Sequence, residues 1–293
     1  MNDQKIKQFS EQNKLNINEL GAAIKIKTPS SELFDITFKE DKDSAIDHFI
    51  LKTKTLEKLF YSGENIYKNP IMINLFLLAY ISEVESYFRE ILRKLILIDK
   101  FTKKNVESNE ISYGAAITHK KKFLPESLLE RCSFADADNI RKNIKSIIGI
   151  TGKKLSNEIE NLLMDFSLVC ELRHCIIHRA NKFGAKNAIK LGLEEHQEFL
   201  EKPIKITTST MAEILQLCVK LVKVINSYLY NFVLIRTANE ADFWKWSYRD
   251  DKELFNEYIK IFNSKSVPFN GKIKNSYDIY RNFKTIYEEG KLS

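Results

Sequence analysis

The chain has 293 residues, which fits one large domain or a main domain with smaller appendages. Its 44% of hydrophobic residues can build a core, and its nine glycines and five prolines are too few for a turn-rich all-strand architecture. The net charge of +7 admits a polyanionic partner without proving one. The four cysteines form no CxxC pair, so we expect reduced, mostly buried thiols rather than a disulfide scaffold.

The first 15 residues are polar and lack the apolar core of a signal peptide. The most apolar stretch runs from Ile71 to Ile81, whereas a membrane-spanning helix needs about 20 residues. We therefore expect a cytoplasmic protein that does not contact a membrane.

Residues 1–41 are predicted to form an N-terminal arm with a short β-hairpin. Residues 23–27 and 34–38 alternate apolar and polar side chains, and residues 28–31 between them are typical of a turn.

Residues 42–235 are predicted to form a helical domain. A first helix begins near Asp43, with Ser44 as a capping candidate, and ends before Gly63. A second, longer helix begins at Pro70. Its apolar residues recur at spacings of three and four and predict one buried stripe: Ile73, Leu77, Tyr80, Ile81, Val84, Phe88, Leu92, Leu95 and Ile96.

The middle of the chain alternates predicted loops and helices. Residues 102–120 are polar and predicted to be a loop, and two shorter helices follow at about 124–133 and 137–149. The central helix begins near Ser156 and ends between residues 181 and 184.

After the central helix, residues 188–193 and 204–208 are predicted to pair as a second β-hairpin. A long helix covers about 210–235, and we expect the long helices to pack as a compact bundle. Residues 236–293 are predicted to form a helical C-terminal extension of two helices separated by Pro268 and Gly271. Three aromatic residues would anchor it to the bundle: Phe243, Trp244 and Trp246.

The most informative segment is Arg173-His174-Cys175-Ile176-Ile177-His178, near the end of the central helix. Arginine offers a permanently charged fork for phosphate oxygens, and histidine exchanges a proton near neutral pH. Five residues along a helix rotate a side chain by about 140° relative to the first, so Arg173 and His178 can border one cleft. These groups suit cleavage of an RNA phosphodiester, in which acid–base catalysis contributes about 10²–10⁴ in rate.

This segment resembles the motif of the HEPN family, an Arg followed by four to six residues and then a His. His174 occupies the position after the Arg, where the family often has Asn, Asp or His. The long helix from Pro70 is similar to the family's early helix, which often brings a carboxylate to the site, here Glu85 or Glu83. Ala180 stands where one nucleotidyltransferase-associated branch of the family has Tyr, which argues against that branch.

The resemblance implies a HEPN-like helical bundle that acts as a homodimer with a composite active site. It implies a metal-independent endoribonuclease without cofactors, serving as a toxin or an anti-phage defence effector. The 2′-hydroxyl of the RNA would attack the phosphate and leave a 2′,3′-cyclic phosphate. RNA, a second copy and an antitoxin or defence-system protein are the partners that it implies.

Within this hypothesis, Arg173 stabilises the phosphate, His178 is the acid–base residue, and His174 and Glu85 support them. Five further residues are predicted to hold the RNA: Arg179, Asn181, Lys120, Lys121 and Lys122.

Three alternatives remain open. The chain could be a non-catalytic HEPN-like module that binds RNA or a partner protein. His174 and His178 could be structural residues that cap helix carbonyls or pair with Glu171. Cys175 could be a nucleophile, although a small buried hydrophobic residue is the more ordinary role at its position.

A metal site is a further alternative, because Cys170, His174 and His178 recur every four residues. It would need another ligand, such as His119 or His196, and neither lies in a recognisable ligand motif.

Overall fold

The computed structural model describes residues 2–5, 7–8, 25–62, 69–152, 155–265 and 275–290. The chain divides into two compact units, Met1–Lys42 and Asp43–Ser293. In the first unit, residues 3–5 and 7–8 are helical, and Ser30–Leu33 form a 3-10 helix. Residues 25–40 contain no strand, and residues 23 and 24 of the predicted hairpin lie outside the described residues.

The described residues of the second unit are mainly helical, which confirms the predicted α class. The helices are α1 (Ala45–Ser62), α2 (Pro70–Ile98), α3 (Lys100–Val106), α4 (Tyr113–Thr118), α5 (Leu124–Leu129), α6 (Ala137–Ile148), α7 (Asn157–His178), α8 (Ala185–Leu191), α9 (Leu193–His196), α10 (Thr208–Ala238), α11 (Tyr248–Phe262) and α12 (Ser276–Glu288).

The starts of the long helices follow from local chemistry. The Ser44 hydroxyl accepts a hydrogen bond from the Asp47 N–H at 3.2 Å, as its predicted capping role requires. At the start of α2, the Asn69 side chain accepts from the Ile71 N–H at 2.9 Å. Pro70 occupies the first turn, where its missing N–H would have no partner in the helix.

Four long helices form the bundle: α2 and α10 contact each other, and both contact α1 and α7 around a shared core. All nine apolar residues predicted for the stripe of α2 are buried. The prediction of a compact bundle of the long helices is therefore confirmed, and the period of the apolar residues was the signal that carried it.

The prediction of a loop over residues 102–120 is wrong, because α3 and α4 occupy much of that segment. Asp99 caps α3 by accepting from the Thr102 N–H at 2.7 Å, and Ser112 caps α4 by accepting from the Ala115 N–H at 3.2 Å. These short helices bury only one or two side chains each, so their apolar period is too weak to recognise in the sequence.

The predicted hairpin of residues 188–193 and 204–208 is also wrong. Residues 185–191 form α8 instead. A short apolar–polar alternation fits one or two helical turns as well as a strand, so this signal could not distinguish the two. The chain instead pairs residues 181–183 with 201–204 through three backbone hydrogen bonds. They run from the Phe183 N–H to Lys202 O (2.9 Å), from the Glu201 N–H to Phe183 O (2.8 Å) and from the Ile204 N–H to Asn181 O (2.9 Å).

The C-terminal helices α11 and α12 belong to the same compact unit as the bundle. The predicted boundary at 235/236 falls inside α10, and the predicted linker residues Pro268 and Gly271 lie outside the described residues. Trp244 is 4% exposed and donates its indole N–H to the Thr237 hydroxyl at 3.1 Å. This tryptophan packs the extension onto the end of α10.

Two helices of the described chain, α2 and α10, are long and apolar enough to cross a membrane by length and composition alone. The core helix of a soluble protein passes the same test, and 44% of the most apolar window of each helix is buried inside the protein. The apolar stretch from Ile71 to Ile81 is thus part of a 29-residue helix.

Candidate functional site

The Arg173–His178 segment forms the last turns of α7. The helix ends at His178, and a left-handed turn follows, with φ of 50° at Ala180 and 65° at Asn181. Asparagine tolerates this conformation better than most residues. The Asn181 N–H donates back to Cys175 O at 3.1 Å, and its side-chain oxygen accepts from the Asn74 amide at 3.1 Å. Asn181 therefore ends the helix and joins the motif to the start of α2.

The two residues of the motif that would do chemistry have free side chains. In the part of the chain that the structure describes, neither Arg173 nor His178 makes a side-chain hydrogen bond or an ion pair. Arg173 is half-buried and His178 is exposed. The His178 ring lies 5.0 Å from the His174 ring, measured between centroids. A half-buried guanidinium and an exposed imidazole are both accessible to a phosphate.

His174 is held by a residue of α8. The Asn187 amide nitrogen lies 3.2 Å from His174 Nδ1 and 2.7 Å from Glu171 Oε2. Its carbonyl oxygen accepts from the Gly184 N–H at 3.3 Å. A Cβ at position 184 would lie 3.0 Å from that oxygen, so glycine permits the close approach. His174 is thus connected to Glu171 through Asn187 rather than by a direct pair.

Lys190 balances the buried charge of Glu171. Its ammonium lies 2.9 Å from Glu171 Oε1 and 2.5 Å from Asp136 Oδ2, the carboxylate that caps α6. Burial disfavours the charged ammonium, but the hydrogen bonds to these two carboxylates outweigh it and raise the pKa of Lys190. Burial also favours the neutral form of Asp136, yet the hydrogen bonds from Lys190 and from the start of α6 keep its pKa below the usual value.

The pKa of His174 is lowered from its ordinary value of 6.5. Burial is the largest cause, because it disfavours the imidazolium, and the positive charges of His178, Arg173 and Lys190 act in the same direction. Glu171 opposes them. His174 is therefore predominantly neutral at neutral pH.

The predicted RNA-binding residue Arg179 pairs with Glu201 across the segment that returns beside the motif. Both side chains are substantially exposed, at 42% and 62%. Such a surface pair is weak, so Arg179 can exchange Glu201 for a phosphate at little cost.

Other predicted site residues lie elsewhere. The Glu85 carboxylate accepts from the Phe134 N–H at 3.3 Å, and Glu83 pairs with Lys52 at 3.2 Å. The structure therefore gives both acids partners outside the motif, and the carboxylate adjacent to the motif is Glu171.

The lysine run 120–122 directly precedes α5. Arg93 on α2 pairs with Glu126 on α5, with 3.1 Å between Arg93 Nε and Glu126 Oε1. Arg93 lies 19 residues beyond Asn74 on α2, about 28 Å along the helix axis. Lys120, Lys121 and Lys122 are exposed, but they are near the opposite end of α2 from the motif.

Cys175 and the metal alternative gain no support. Cys175 is fully buried, and burial raises the pKa of its thiol, which makes it a poor nucleophile. Among the residues that the structure describes, the donor atoms of Cys170, His174 and His178 do not assemble into a metal-binding group.

Asn187, Lys190 and Asp136 are neighbours of the motif that were not predicted from the sequence. Glu171 left a signal, since it lies three residues before His174 on a face that is otherwise apolar. Asn187 left none, because nothing in its local sequence shows that α8 folds back onto α7.

Comparison with models of known protein families found no match, and comparisons with curated proteins and with solved structures found none either.

Proposed function

We propose that this chain is a cytoplasmic, metal-independent endoribonuclease of HEPN type that acts as a toxin or anti-phage defence effector. Arg173 binds and stabilises the scissile phosphate, and His178 exchanges the proton of the attacking 2′-hydroxyl. Cleavage leaves a 2′,3′-cyclic phosphate, and the nucleophile comes from the substrate.

The observation that carries this proposal is that, among the described residues, the side chains of Arg173 and His178 have neither a hydrogen bond nor an ion pair. Polar groups that a protein buries usually find partners within it, and the neighbouring residues Glu171 and His174 do so, whereas Arg173 is half-buried without one in the described chain. Glu171 and His174 are both hydrogen-bonded to Asn187. A free guanidinium and a free imidazole beside a fixed network suit the binding and cleavage of a phosphodiester.

A homodimer with a composite site is part of the proposal, and exposed apolar residues on the two helices that meet at the Asn74–Asn181 contact support it. Met164 and Leu168 are 68% and 46% exposed on α7, and their spacing of four places them on one face. Ile71 and Leu75 are 68% and 52% exposed on α2, beside the Asn74 contact to the motif. Exposed apolar side chains on neighbouring helices can form an interaction surface.

The test is incubation of the purified protein with a mixture of structured and single-stranded RNAs in EDTA. We expect cleavage that survives the chelator and leaves 2′,3′-cyclic ends. His178→Ala should lower the rate by about 10²–10⁴. His119→Ala is the matched control, because His119 precedes the lysine run near the other end of α2.

The possible results of the cleavage assay distinguish the proposed function from its alternative. If His178→Ala cleaves as fast as the wild type, the assignment of His178 is wrong. If the wild type binds RNA or co-purifies with a protein partner but never cleaves, the non-catalytic module is the correct function. Light scattering of the same samples reports whether the active species is a dimer.

A further inference from the structure

Asn187 occupies a position where its amide orientation is determined by its neighbours. It is 1% exposed and lies between Glu171, His174 and the Gly184 backbone. An ionised carboxylate can only accept hydrogen bonds, and a backbone N–H can only donate one. The amide nitrogen must therefore face Glu171, and the amide oxygen must face Gly184.

Lys190 helps to stabilise this orientation of the Asn187 amide. Its ammonium lies 2.9 Å from the second oxygen of Glu171, so the two side chains form an ion pair. The opposite orientation of Asn187 would place its oxygen against that carboxylate and its NH2 group against the Gly184 N–H. Both contacts would then be repulsive, so one orientation remains.

The orientation of Asn187 determines the protonation of His174. The amide NH2 has two hydrogens, one for Glu171 Oε2 and one for His174 Nδ1. A nitrogen that receives a hydrogen bond carries no proton, so the single proton of a neutral ring is on Nε2. A protonated ring would direct an Nδ1–H at the NH2 group and lose the contact.

We propose that Asn187, oriented by Glu171 and Gly184, is a positioning residue that keeps His174 neutral with its proton on Nε2. Its role in catalysis rests on the proposed function. The motif then presents one fixed hydrogen-bond donor, His174 Nε2–H, beside the free imidazole of His178. Only His178 is left to exchange a proton with the RNA, which separates the roles of the two histidines.

The charges around His174 favour the same state. On α7 they are Glu171, Arg173 and His178, and on α8 the charge is Lys190, which bridges to Asp136 at the start of α6. From α2, the contact at this end is the uncharged amide of Asn74. Three of the four groups that act on His174 are cationic when charged, and they disfavour an imidazolium.

The first test uses the wild-type protein alone. With ¹⁵N-labelled histidine, two-bond ¹H–¹⁵N NMR spectra identify which ring nitrogen of each histidine carries a proton. We expect His174 to show a protonated Nε2 and an unprotonated Nδ1 from pH 8 down to its lowered pKa. A protonated Nδ1 at pH 7 would overturn the proposal, whether or not the protein cleaves RNA.

The second test replaces the donor with an acceptor of nearly the same shape. Asn187→Asp should move a proton to His174 Nδ1 and raise its proton affinity by about tenfold or more, as a carboxylate neighbour does. Asn143→Asp adds the same charge on α6, where the Asn143 amide donates to Ser133 O at 2.9 Å, and should leave His174 unchanged. Equal shifts in the two variants would refute the specific role of Asn187.

Cleavage assays complete the test. In an active enzyme, Asn187→Asp should change the dependence of the cleavage rate on pH, while Asn143→Asp retains the wild-type profile. If Asn187→Asp does not fold, the wild-type spectrum still decides the protonation of His174. If the wild type does not cleave any RNA, the proposed function fails while the NMR result stands by itself.

Discussion

Two arginines in this protein have opposite environments. Arg236 on α10 is locked: its guanidinium lies 2.5 Å from Asp99, donates to Ile148 O and lies 4.8 Å from the Phe101 ring centroid. Arg173 on α7 is half-buried, and within the described chain it has neither an ion pair nor a hydrogen bond. Both are on core helices, so burial alone does not explain the difference.

The Arg236 cluster uses its charge to join elements. The Asp99 carboxylate is fully buried and also accepts from the Tyr258 hydroxyl at 2.9 Å and from Thr102. It thereby ties α3, α10 and α11 together. Removing one partner of a buried ion pair destabilises a protein because the other charge is left uncompensated, whereas a charge without a protein partner is available to a ligand. This contrast is the reason for assigning chemistry to Arg173.

The largest expected effect comes from removing each arginine in turn. Arg236→Ala leaves Asp99 buried without its cation, and we expect a loss of about 3–5 kcal/mol in the free energy of unfolding. Arg173→Ala should change that free energy by less than about 0.5 kcal/mol, because Arg173 makes no hydrogen bond or ion pair within the described chain. Urea denaturation measures both. The comparison fails if the two variants lose similar stability.

Tyr258→Phe sharpens the comparison within the Arg236 cluster. It removes the hydroxyl that donates to Asp99, and we expect a loss of about 1.5–3 kcal/mol, as for hydrogen bonds to charged groups. Tyr277→Phe is the matched control, since Tyr277 is 50% exposed and should show almost no change. If the two variants are equally stable, the hydroxyl of Tyr258 does not contribute to the cluster.

The smallest expected effect is the pH dependence of the free energy of unfolding that His174 contributes, which distinguishes the motif from the Arg236 cluster. Because the pKa of His174 is lower in the folded state than its ordinary value of 6.5, the folded state binds fewer protons. His174 therefore contributes stability that is fully present above pH 6.5 and is lost as the pH falls through its lowered pKa. His174→Gln, which does not titrate in this range, should lose less stability than the wild type between pH 7.5 and pH 5. An identical loss would mean that His174 has the same pKa in both states.

Several features could be predicted from the sequence because their signals are local. The apolar period of α2, the cap at Ser44, the start of α7 near Ser156 and the position of the motif at the end of a long helix depend only on neighbouring residues. The short helices α3 and α4 could not be recognised, since they bury too few side chains to show a period. Residues 188–193 were ambiguous because their alternation fits a strand and a helix equally well.

The sequence by itself determined that α7 carries Arg173, His174 and His178 at helical spacings near its end. Only the tertiary structure decided which of them are free. The fold brings Asn187 and Lys190 of α8 against Glu171, directs Glu85 towards Phe134 and places the lysine run near the opposite end of α2. Spacing along one helix is a local property, whereas a hydrogen-bond partner is supplied by whichever element packs beside it. For this reason the motif was visible in the sequence and the environment of His174 was not.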